Sequence, residues 1–188
     1  MILIAGSKGL IGSAVTRHLG TLATGYDVPD EIPPRDIDYG AFIDCARYAR
    51  QEDQIATWHI VIKQLECRGA GRMILFSSIY GHVAPDFSIY SGTEIPETPL
   101  EYAMSKAGVE QAVRYLAQKL KPYCIQVNAI APGGVFNNHS MRFHTNYIRS
   151  GHAPMLTTKN ILPVIDMLLH PDNAVNGQVI TVDAGWSL

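Results

Sequence analysis

The sequence carries little charge of either sign and contains no long uninterrupted apolar run. Charged residues make up 17% of the 188 residues and the formal net charge is -2, so no basic field is available to attract nucleic acid. The apolar stretches are interrupted well short of a bilayer span, and no cationic, cleavable leader precedes the first strand-like run. We therefore expect neither nucleic acid nor membrane as a partner.

Cysteine is also scarce. Cys45, Cys67 and Cys124 are scattered without the spacing of metal ligands, and their odd number argues against a disulfide framework. The sequence therefore predicts no metal site and a cytoplasmic location.

Hydrophobic residues, at 47%, are abundant enough for a well-buried core, and the length suits one domain over residues 1–188. Short apolar runs alternate with segments of helical periodicity. The predicted strands are 2–5, 22–28, 41–43, 73–76, 125–130 and 178–182. The predicted helices are 10–19, 50–68, 102–121 and 161–169. This alternation predicts an α/β fold with a doubly wound parallel sheet, whose ligands bind beyond the carboxyl ends of the strands.

A glycine-rich turn joins the first strand to the first helix, with the pattern GxxGxxG. Glycines allow a tight turn and close approach of a pyrophosphate to backbone N–H groups, and the helix dipole favours the anion there. A purely structural strand-turn-helix is the alternative. The residues predicted to bind the phosphates are Gly6, Ser7, Lys8, Gly9, Leu10, Ile11 and Gly12.

Asp27 lies 21 residues beyond Gly6, at the end of the second strand. A carboxylate at this position accepts hydrogen bonds from an adenosine ribose and repels a 2′-phosphate, so we expect NAD to be preferred over NADP. Lys8 and Arg35 could soften that preference and leave NADP possible.

Tyr102 and Lys106 form a YxxxK pair near the start of the longest predicted helix. Their spacing places phenol and ammonium on one helical face, where the cation favours the phenolate. Ser78 follows a buried strand, 24 residues before Tyr102, and its hydroxyl could bind a carbonyl oxygen. Taken alone, a tyrosine–lysine pair is typical of a helix surface, and a serine at the end of a strand is typical of a turn.

In this order, the motifs GSKGLIG, FSSIYG, YAMSK, VNAIAPGGV and GQVITVDAGW resemble the short-chain dehydrogenase/reductase family over nearly the whole chain. The resemblance implies a Rossmann-type fold, with Ser78 orienting a substrate carbonyl and Tyr102 as acid/base. It implies that Lys106 stabilises the phenolate and binds the nicotinamide ribose together with Tyr102. The other residues expected at the cofactor are Val28, Cys45, Ala46, Pro132, Gly133, Val135 and Asn137, the last standing where the family usually has threonine.

The segment from SSIYG to YAMSK more specifically resembles bacterial reductases of flagellin and surface-polysaccharide modification, including nonulosonic-acid pathways. That resemblance implies a polar, sugar-like substrate. His139 and His144 follow the Pro-Gly-Gly turn in what the family usually has as a mobile substrate loop, although solvated loop histidines are the more common case. Tyr80, His82 and Tyr90 follow Ser78 and are expected to line the pocket, with packing under an exposed hydroxyl as the alternative for the tyrosines.

The chain departs from the family in three places. Residues 29–40 are too few for a helix, a strand and a second helix, so the fold is expected to be shortened between the family's second and fourth strands. Asp44-Cys45-Ala46-Arg47 replaces the usual Asn-Asn-Ala-Gly. The helix at 50–68 lacks the asparagine of the catalytic tetrad, for which Gln51, Gln54 and His59 are the nearest candidates.

The leading hypothesis is an oxidoreductase that moves hydride between a nicotinamide cofactor and a carbonyl or secondary alcohol. A nucleotide-binding regulatory or scaffold protein that has lost turnover is an alternative, motivated by the departures. A sugar-nucleotide epimerase or dehydratase is another, suggested by the glycine spacing. The resemblance also implies a homodimer or homotetramer built on the helices at 50–68 and 102–121.

Overall fold

A computed structural model describes residues 1–28, 31, 33–34 and 37–188. Its parallel sheet has six strands: β1 Ile2–Ala5, β2 Ala23–Tyr26, β3 Ala41–Asp44, β4 Gly71–Phe76, β5 Ile125–Pro132 and β6 Val179–Val182. The α-helices of the described residues are α1 Leu10–Leu19, α2 Gln51–Arg68, α3 Leu100–Leu120, α4 Met141–Gly151 and α5 Leu162–Leu169.

The strands lie in the order β2-β1-β3-β4-β5-β6. The order reverses beside β1, which pairs in parallel with β2 on one side and β3 on the other. This reversal is the switch point at which an open α/β sheet leaves a crevice for its ligand. The predicted doubly wound, Rossmann-type α/β fold is confirmed.

Successive side chains along each strand point to opposite faces of the sheet, and both faces are covered. Leu3 and Phe42 pack with α2 and α3 in one buried cluster, while Ile4 and Ile43 pack with α1 and α5 in another. This two-sided burial explains why the strands are continuous apolar runs rather than alternating ones.

Most predicted boundaries lie within two residues of the observed ones. Helix α1 has the predicted limits, and α3 begins at Leu100, directly after Pro99, whose fixed φ suits the residue that precedes a helix. Strand β2 is shorter than predicted, whereas β5 continues two residues further, to Pro132.

Helix α4 was not predicted: the segment that contains His139 and His144 was expected to be a loop. The Ser140 hydroxyl accepts a hydrogen bond from the backbone N–H of Phe143 and caps the helix. Phe143 and Tyr147, one turn apart, pack in a third buried cluster with Ile79, Ile89 and Trp186. Phe143 and Tyr147 share one face of the helix, so the helical periodicity is present in the sequence and was overlooked among the polar residues.

The expected shortening agrees with the sheet order. Among the described residues no strand lies between β2 and β3, and β2 forms one edge of the sheet. Residues 29, 30, 32, 35 and 36 lie outside the described residues, and with them the predicted influence of Arg35 on cofactor preference.

Candidate active site

A cavity of about 1060 Å³ opens beyond the carboxyl ends of the strands, where the sequence places the ligand. Its walls come from the start of α1, the segments after β3 and β4, the N-terminal half of α3 and the segment after β5. Ser78, Tyr102 and Lys106 all line it. The three predicted catalytic side chains therefore face one space, although up to 28 residues separate them along the chain.

The glycine loop lies at the edge of this cavity and cannot accept larger residues. Gly6 has φ +74°, and a Cβ there would lie 2.7 Å from Cα of Ala46. A Cβ on Gly12 would lie 2.0 Å from the carbonyl oxygen of Gly6. The close contact also places the β1–α1 loop directly against the segment that follows β3.

The N-terminus of α1 fits a phosphate group. No side chain caps this helix among the described residues, and its first N–H groups have no acceptor within the helix. Leu10 and Ile11, the first two helical residues, line the cavity. Unpaired N–H groups at the positive end of a helix bind anions, so these residues fit the diphosphate of a dinucleotide.

Asp27 follows β2 and is bound to the glycine loop. Its carboxylate accepts hydrogen bonds from the Ser7 hydroxyl at 3.1 Å and the Lys8 backbone N–H at 3.0 Å, and the Lys8 ammonium lies 3.4 Å away. Partial burial raises the pKa of Asp27, but the hydrogen bonds from Lys8 and Ser7 and the Lys8 charge outweigh it, so the pKa is lowered. The carboxylate is therefore ionised at neutral pH.

Lys106 extends from α3 to the end of β4, where its ammonium donates to the Phe76 carbonyl oxygen at 2.8 Å. The same nitrogen lies 5.6 Å from the centre of the Tyr102 ring. Burial outweighs the charge of Asp44, so the pKa of Lys106 is lowered. The helix thus holds a cation beside the phenol.

Asp44, at the end of β3, is a buried carboxyl group in a network that sequence reasoning missed. It accepts hydrogen bonds from Trp58 Nε1 at 2.8 Å, from Gln54 Nε2 at 3.2 Å and from the Ala46 backbone N–H. Burial outweighs these donors and the charge of Lys106, so the pKa of Asp44 is raised. Of the candidates for the missing asparagine, Gln54 is buried in this network and His59 is exposed.

The segment that carries Ser78 contacts a second buried carboxylate, Glu110 on α3. Oε1 of Glu110 lies 3.1 Å from the Ser77 hydroxyl and 2.7 Å from Nδ1 of His82. His82 does not line the cavity, contrary to expectation. The only available sequence signal for Glu110 was a charged residue on the buried stripe of α3, one turn after Lys106.

The outer wall of the cavity is formed by residues 83–99 together with α4. The amide of Asn146 donates to the backbone carbonyls of Ile89 and Ser91, and the Ser150 hydroxyl bonds to Asp86. Tyr80 and Tyr90 line the cavity, as predicted. His139 also lines it, whereas His144 does not.

The predicted cofactor residues divide into two groups. Those that line the cavity are Leu10, Ile11, Cys45, Ala46, Tyr102, Lys106, Pro132, Gly133, Val135 and Asn137. Those that do not are Gly6, Ser7, Lys8, Gly9, Gly12, Asp27 and Val28. The second group forms the glycine loop and the β2 end behind it, where Val28 packs against the core.

Two further observations concern the described part of the chain. No group of three or more histidine, cysteine, aspartate or glutamate side chains there could hold a metal ion. None of its helices is both long and apolar enough to cross a membrane.

A smaller cavity of about 370 Å³ lies at the opposite end of the sheet, at the starts of β4 and β5.

A doubly wound parallel sheet with an uncapped helix N-terminus behind a glycine loop defines a Rossmann-type nucleotide-binding protein. Residues 61–187 match the family profile described as enoyl-(acyl carrier protein) reductase. The chain belongs to the short-chain dehydrogenase/reductase family.

Among curated proteins, the chain is similar to post-translational flagellin modification protein A of Campylobacter coli, with 33% identity over 129 residues. That alignment covers 68% of this chain and 50% of the relative. 2-Dehydro-3-deoxy-D-gluconate 5-dehydrogenase of Escherichia coli (strain K12) is 29% identical over 113 residues, covering 56% of this chain and 43% of the relative. The chain thus spans about half the length of the curated relatives it matches.

The fold is similar to a short chain dehydrogenase from Leptospira borgpetersenii serovar Hardjo-bovis (strain JB197), solved with bound NAD+. The TM-score is 0.84 and the identity 25%, over 100% of this chain and 92% of that chain. A gluconate 5-dehydrogenase from Burkholderia cenocepacia J2315, in complex with NADP and tartrate, shares the fold with a TM-score of 0.80 at 18% identity, over 99% of this chain and 94% of that chain.

Proposed function

We propose that the protein is an NAD(P)-dependent oxidoreductase that interconverts a carbonyl and a secondary alcohol on a polar, sugar-like substrate. The observation that carries this proposal is the cavity itself. It brings Ser78, Tyr102 and Lys106 together with the uncapped start of α1. A regulatory nucleotide-binding protein would have no need of all three side chains.

Each side chain has a defined role in the proposed reduction. A bound nicotinamide supplies the hydride in reduction and accepts it in oxidation. The Ser78 hydroxyl donates to the substrate carbonyl oxygen and orients it, while the Tyr102 phenol gives its proton to that oxygen. The Lys106 ammonium stabilises the resulting phenolate through its positive charge. In oxidation the phenolate takes the alcohol proton back.

The cofactor would lie along the edge of the sheet. The diphosphate would bind the N–H groups at the start of α1, the adenosine ribose would bind Asp27, and the nicotinamide would lie against Pro132, Gly133 and Val135. Asp27 is ionised and would repel a 2′-phosphate, which supports a preference for NAD over NADP. Lys8 partly neutralises that carboxylate, which leaves NADP as a weaker second cofactor.

The substrate class is supported by the polar residues that line the cavity. Glu97, Glu101, Asn137 and His139 line it alongside the tyrosines. Carboxylates, amides and aromatic faces suit a polyhydroxylated substrate, and two relatives carry gluconate-type names. The three free thiols support a cytoplasmic location.

The test is a titration with NADH and, separately, NADPH, followed by nicotinamide fluorescence. Wild type, Tyr102→Phe and a matched Tyr115→Phe control on the exposed side of α3 are compared. We expect all three to bind NADH more tightly than NADPH. In a fourth variant, Asp27→Asn, the ratio of the two Kd values should fall about tenfold, because one charged contact is lost. In a screen of keto-sugars, wild type and Tyr115→Phe should turn over and Tyr102→Phe should not.

Failure to bind either cofactor at millimolar concentration would overturn the oxidoreductase proposal. NADH binding without turnover of any carbonyl compound would favour the nucleotide-binding regulatory alternative. Retention of tightly bound NAD through turnover of a sugar nucleotide would instead indicate an epimerase or dehydratase.

A further inference from the structure

Ser78 directly follows Ser77, the last residue of this segment that hydrogen-bonds to the neighbouring strand. The backbone N–H of Ser77 donates to the Ile130 carbonyl at 2.8 Å, continuing the β4–β5 pairing by one residue. The chain then turns away into a 3-10 turn at Ile79–Gly81, and the Ser78 hydroxyl accepts the Tyr80 backbone N–H at 3.3 Å. Contacts outside the sheet must therefore set where Ser78 stands relative to α3.

One carboxylate oxygen contacts both ends of this segment. Oε1 of Glu110 lies 3.1 Å from the Ser77 hydroxyl and 2.7 Å from Nδ1 of His82. An ionised carboxylate only accepts hydrogen bonds, so Nδ1 of His82 carries the proton. The Ser77 hydroxyl also lies 3.1 Å from the Lys106 carbonyl oxygen, which brings the segment against the helix at a second point.

Glu110 belongs to the same helical face as the catalytic pair. Tyr102, Lys106 and Glu110 follow each other at four-residue intervals, so their side chains are stacked along one side of α3. The helix that carries the proton donor and its cation therefore also carries the group that holds the serine segment.

The carboxylate is deeply buried, with 4% of the residue exposed. A buried charge is costly unless hydrogen-bond donors surround it, so moving Ser77 or His82 away from Glu110 is strongly unfavourable. Gly81 leaves the space that this contact needs, because a Cβ there would lie 2.6 Å from Oε1 of Glu110 and 2.8 Å from the Ser77 hydroxyl. The contact of Glu110 with Ser77 and His82 therefore leaves little room for movement.

We propose that Glu110 is a positioning residue, whose carboxylate fixes Ser78 relative to Tyr102 and Lys106 by clamping the Ser77–His82 segment onto α3. This inference rests on the proposed function. Its consequence is kinetic: a displacement of about 1 Å between the carbonyl-orienting hydroxyl and the proton donor can cost on the order of 100-fold in rate.

Three variants test the inference in steady-state kinetics with the best substrate found. Glu110→Leu keeps much of the volume but removes the acceptor, and we expect kcat to fall at least about tenfold while the Kd for NADH stays within about twofold. Glu110→Gln keeps an amide oxygen at the position of Oε1, which can accept from both the Ser77 hydroxyl and Nδ1–H of His82, so it should keep most of kcat. Val113→Ala, on the same helix but in the core, should lower Tm without changing kcat.

Unchanged kcat in Glu110→Leu, with an active wild type, would overturn the positioning role and leave the proposed function intact. Equal loss of kcat in Val113→Ala at matched Tm would overturn it as well, because general destabilisation would then explain the effect. If Glu110→Leu does not fold, Ser77→Ala replaces it, and its kcat must fall with the Kd for NADH preserved.

A direct readout is independent of turnover. Nitrogen-15 NMR of the wild-type imidazoles should show His82 protonated at Nδ1, with that signal shifted in Glu110→Gln. A His82 ring unprotonated at Nδ1 in the wild type would contradict the clamp. A wild type that neither binds NADH nor turns over substrate would overturn the proposed function, and this inference with it.

Discussion

Among single residues, Asp44 has the most unusual environment for a carboxyl group in this fold. Three donors satisfy its oxygens inside the protein, and its charge opposes the lowering of the Lys106 pKa by burial. The two groups therefore support each other's ionisation: Asp44 favours the charged ammonium, and Lys106 favours the carboxylate. The proposed chemistry needs Lys106 to be charged.

Replacing this carboxylate should shift the alkaline limit of activity. In Asp44→Asn the pKa of Lys106 falls further, because burial still lowers it and an opposing charge has gone. Lys106 then loses its proton at lower pH, and the alkaline limb of the kcat/KM profile should move down by about one pH unit. The profile is measured from pH 6 to 10, with circular dichroism to confirm folding.

Asp53→Asn is the matched control, since Asp53 is on the surface of α2 and pairs with Arg50. Its profile should coincide with that of the wild type. Superimposable profiles for Asp44→Asn and wild type would show that Asp44 does not influence Lys106 during catalysis.

Among the elements, the C-terminal turn after β6 depends on one carboxylate. Asp183 accepts hydrogen bonds from the backbone N–H groups of Gly185 and Ser187 and from the Ser187 hydroxyl. Burial raises its pKa, but these hydrogen bonds outweigh it and lower the pKa. The turn places Trp186 against Tyr147, with ring centres 5.2 Å apart, and so supports the outer wall of the cavity.

Asp183→Asn should reduce the free energy of unfolding at neutral pH by about 1 to 3 kcal/mol, because Asn keeps one of the two oxygens and the donors on the other lose their acceptor. A lowered folded-state pKa stabilises the fold above the unfolded value near 4 and loses that effect as pH falls through the folded value. The difference between variant and wild type should therefore shrink below about pH 4. Urea melts at pH 7 and pH 3.5 measure it.

Asp166→Asn, an exposed change on α5, provides the comparison for that experiment. A difference between Asp183→Asn and wild type that is equally large at both pH values would show that the Asp183 charge contributes nothing.

Elements that are marked by a short sequence pattern could be predicted. Features that depend on contacts between distant segments could not. The glycine loop, the YxxxK pair and the buried strands are visible because each is a short pattern set by local geometry. The limits of α1 follow from its apolar spacing and from Gly20. Helix α4 was missed although it is amphipathic, because its many polar residues favour a loop; Phe143 and Tyr147 pack with residues 79–90, Ala153, Met155 and Trp186.

The same limit applies to the site. Ser78, Tyr102 and Lys106 could be named because their order along the chain matches a family pattern. The contacts of Asp44 with Trp58 and of Glu110 with Ser77 and His82 join different elements, and no spacing in the sequence encodes them. Their buried charges were visible only as polar residues within apolar stretches.

At the scale of the whole molecule, the outer surfaces of α2 and α3 carry exposed apolar side chains. Ile55 is 42% exposed on α2, and Tyr115 is 62% exposed on α3. Such surfaces favour association between copies, and a two-fold axis would bring each patch against its own equivalent. We therefore expect a homodimer or homotetramer.

The double variant Ile55→Glu, Tyr115→Glu should shift the protein to a monomer, because it places like charges across a two-fold contact. Light scattering after size exclusion measures the mass. Met167→Glu, at an exposed apolar position on α5, should leave the mass unchanged. A wild type that runs as a monomer, or a double variant that keeps the wild-type mass, would place any interface elsewhere.

Strand β1 is first in the sequence but lies inside the sheet, and this position governs how the chain can fold. It pairs with β3, with Ile2 opposite Ala41. The glycine loop packs against Cys45 and Ala46, so this contact forms only after β3 has joined the sheet. Strand β6 pairs with β5 at the other edge of the sheet, where the Gly133 N–H donates to the Val182 carbonyl oxygen. Because nearly every strand pairing spans a long loop, refolding should be slow for a chain of this size, on the order of milliseconds to seconds. During synthesis the glycine loop is therefore made before the residues that come to surround it.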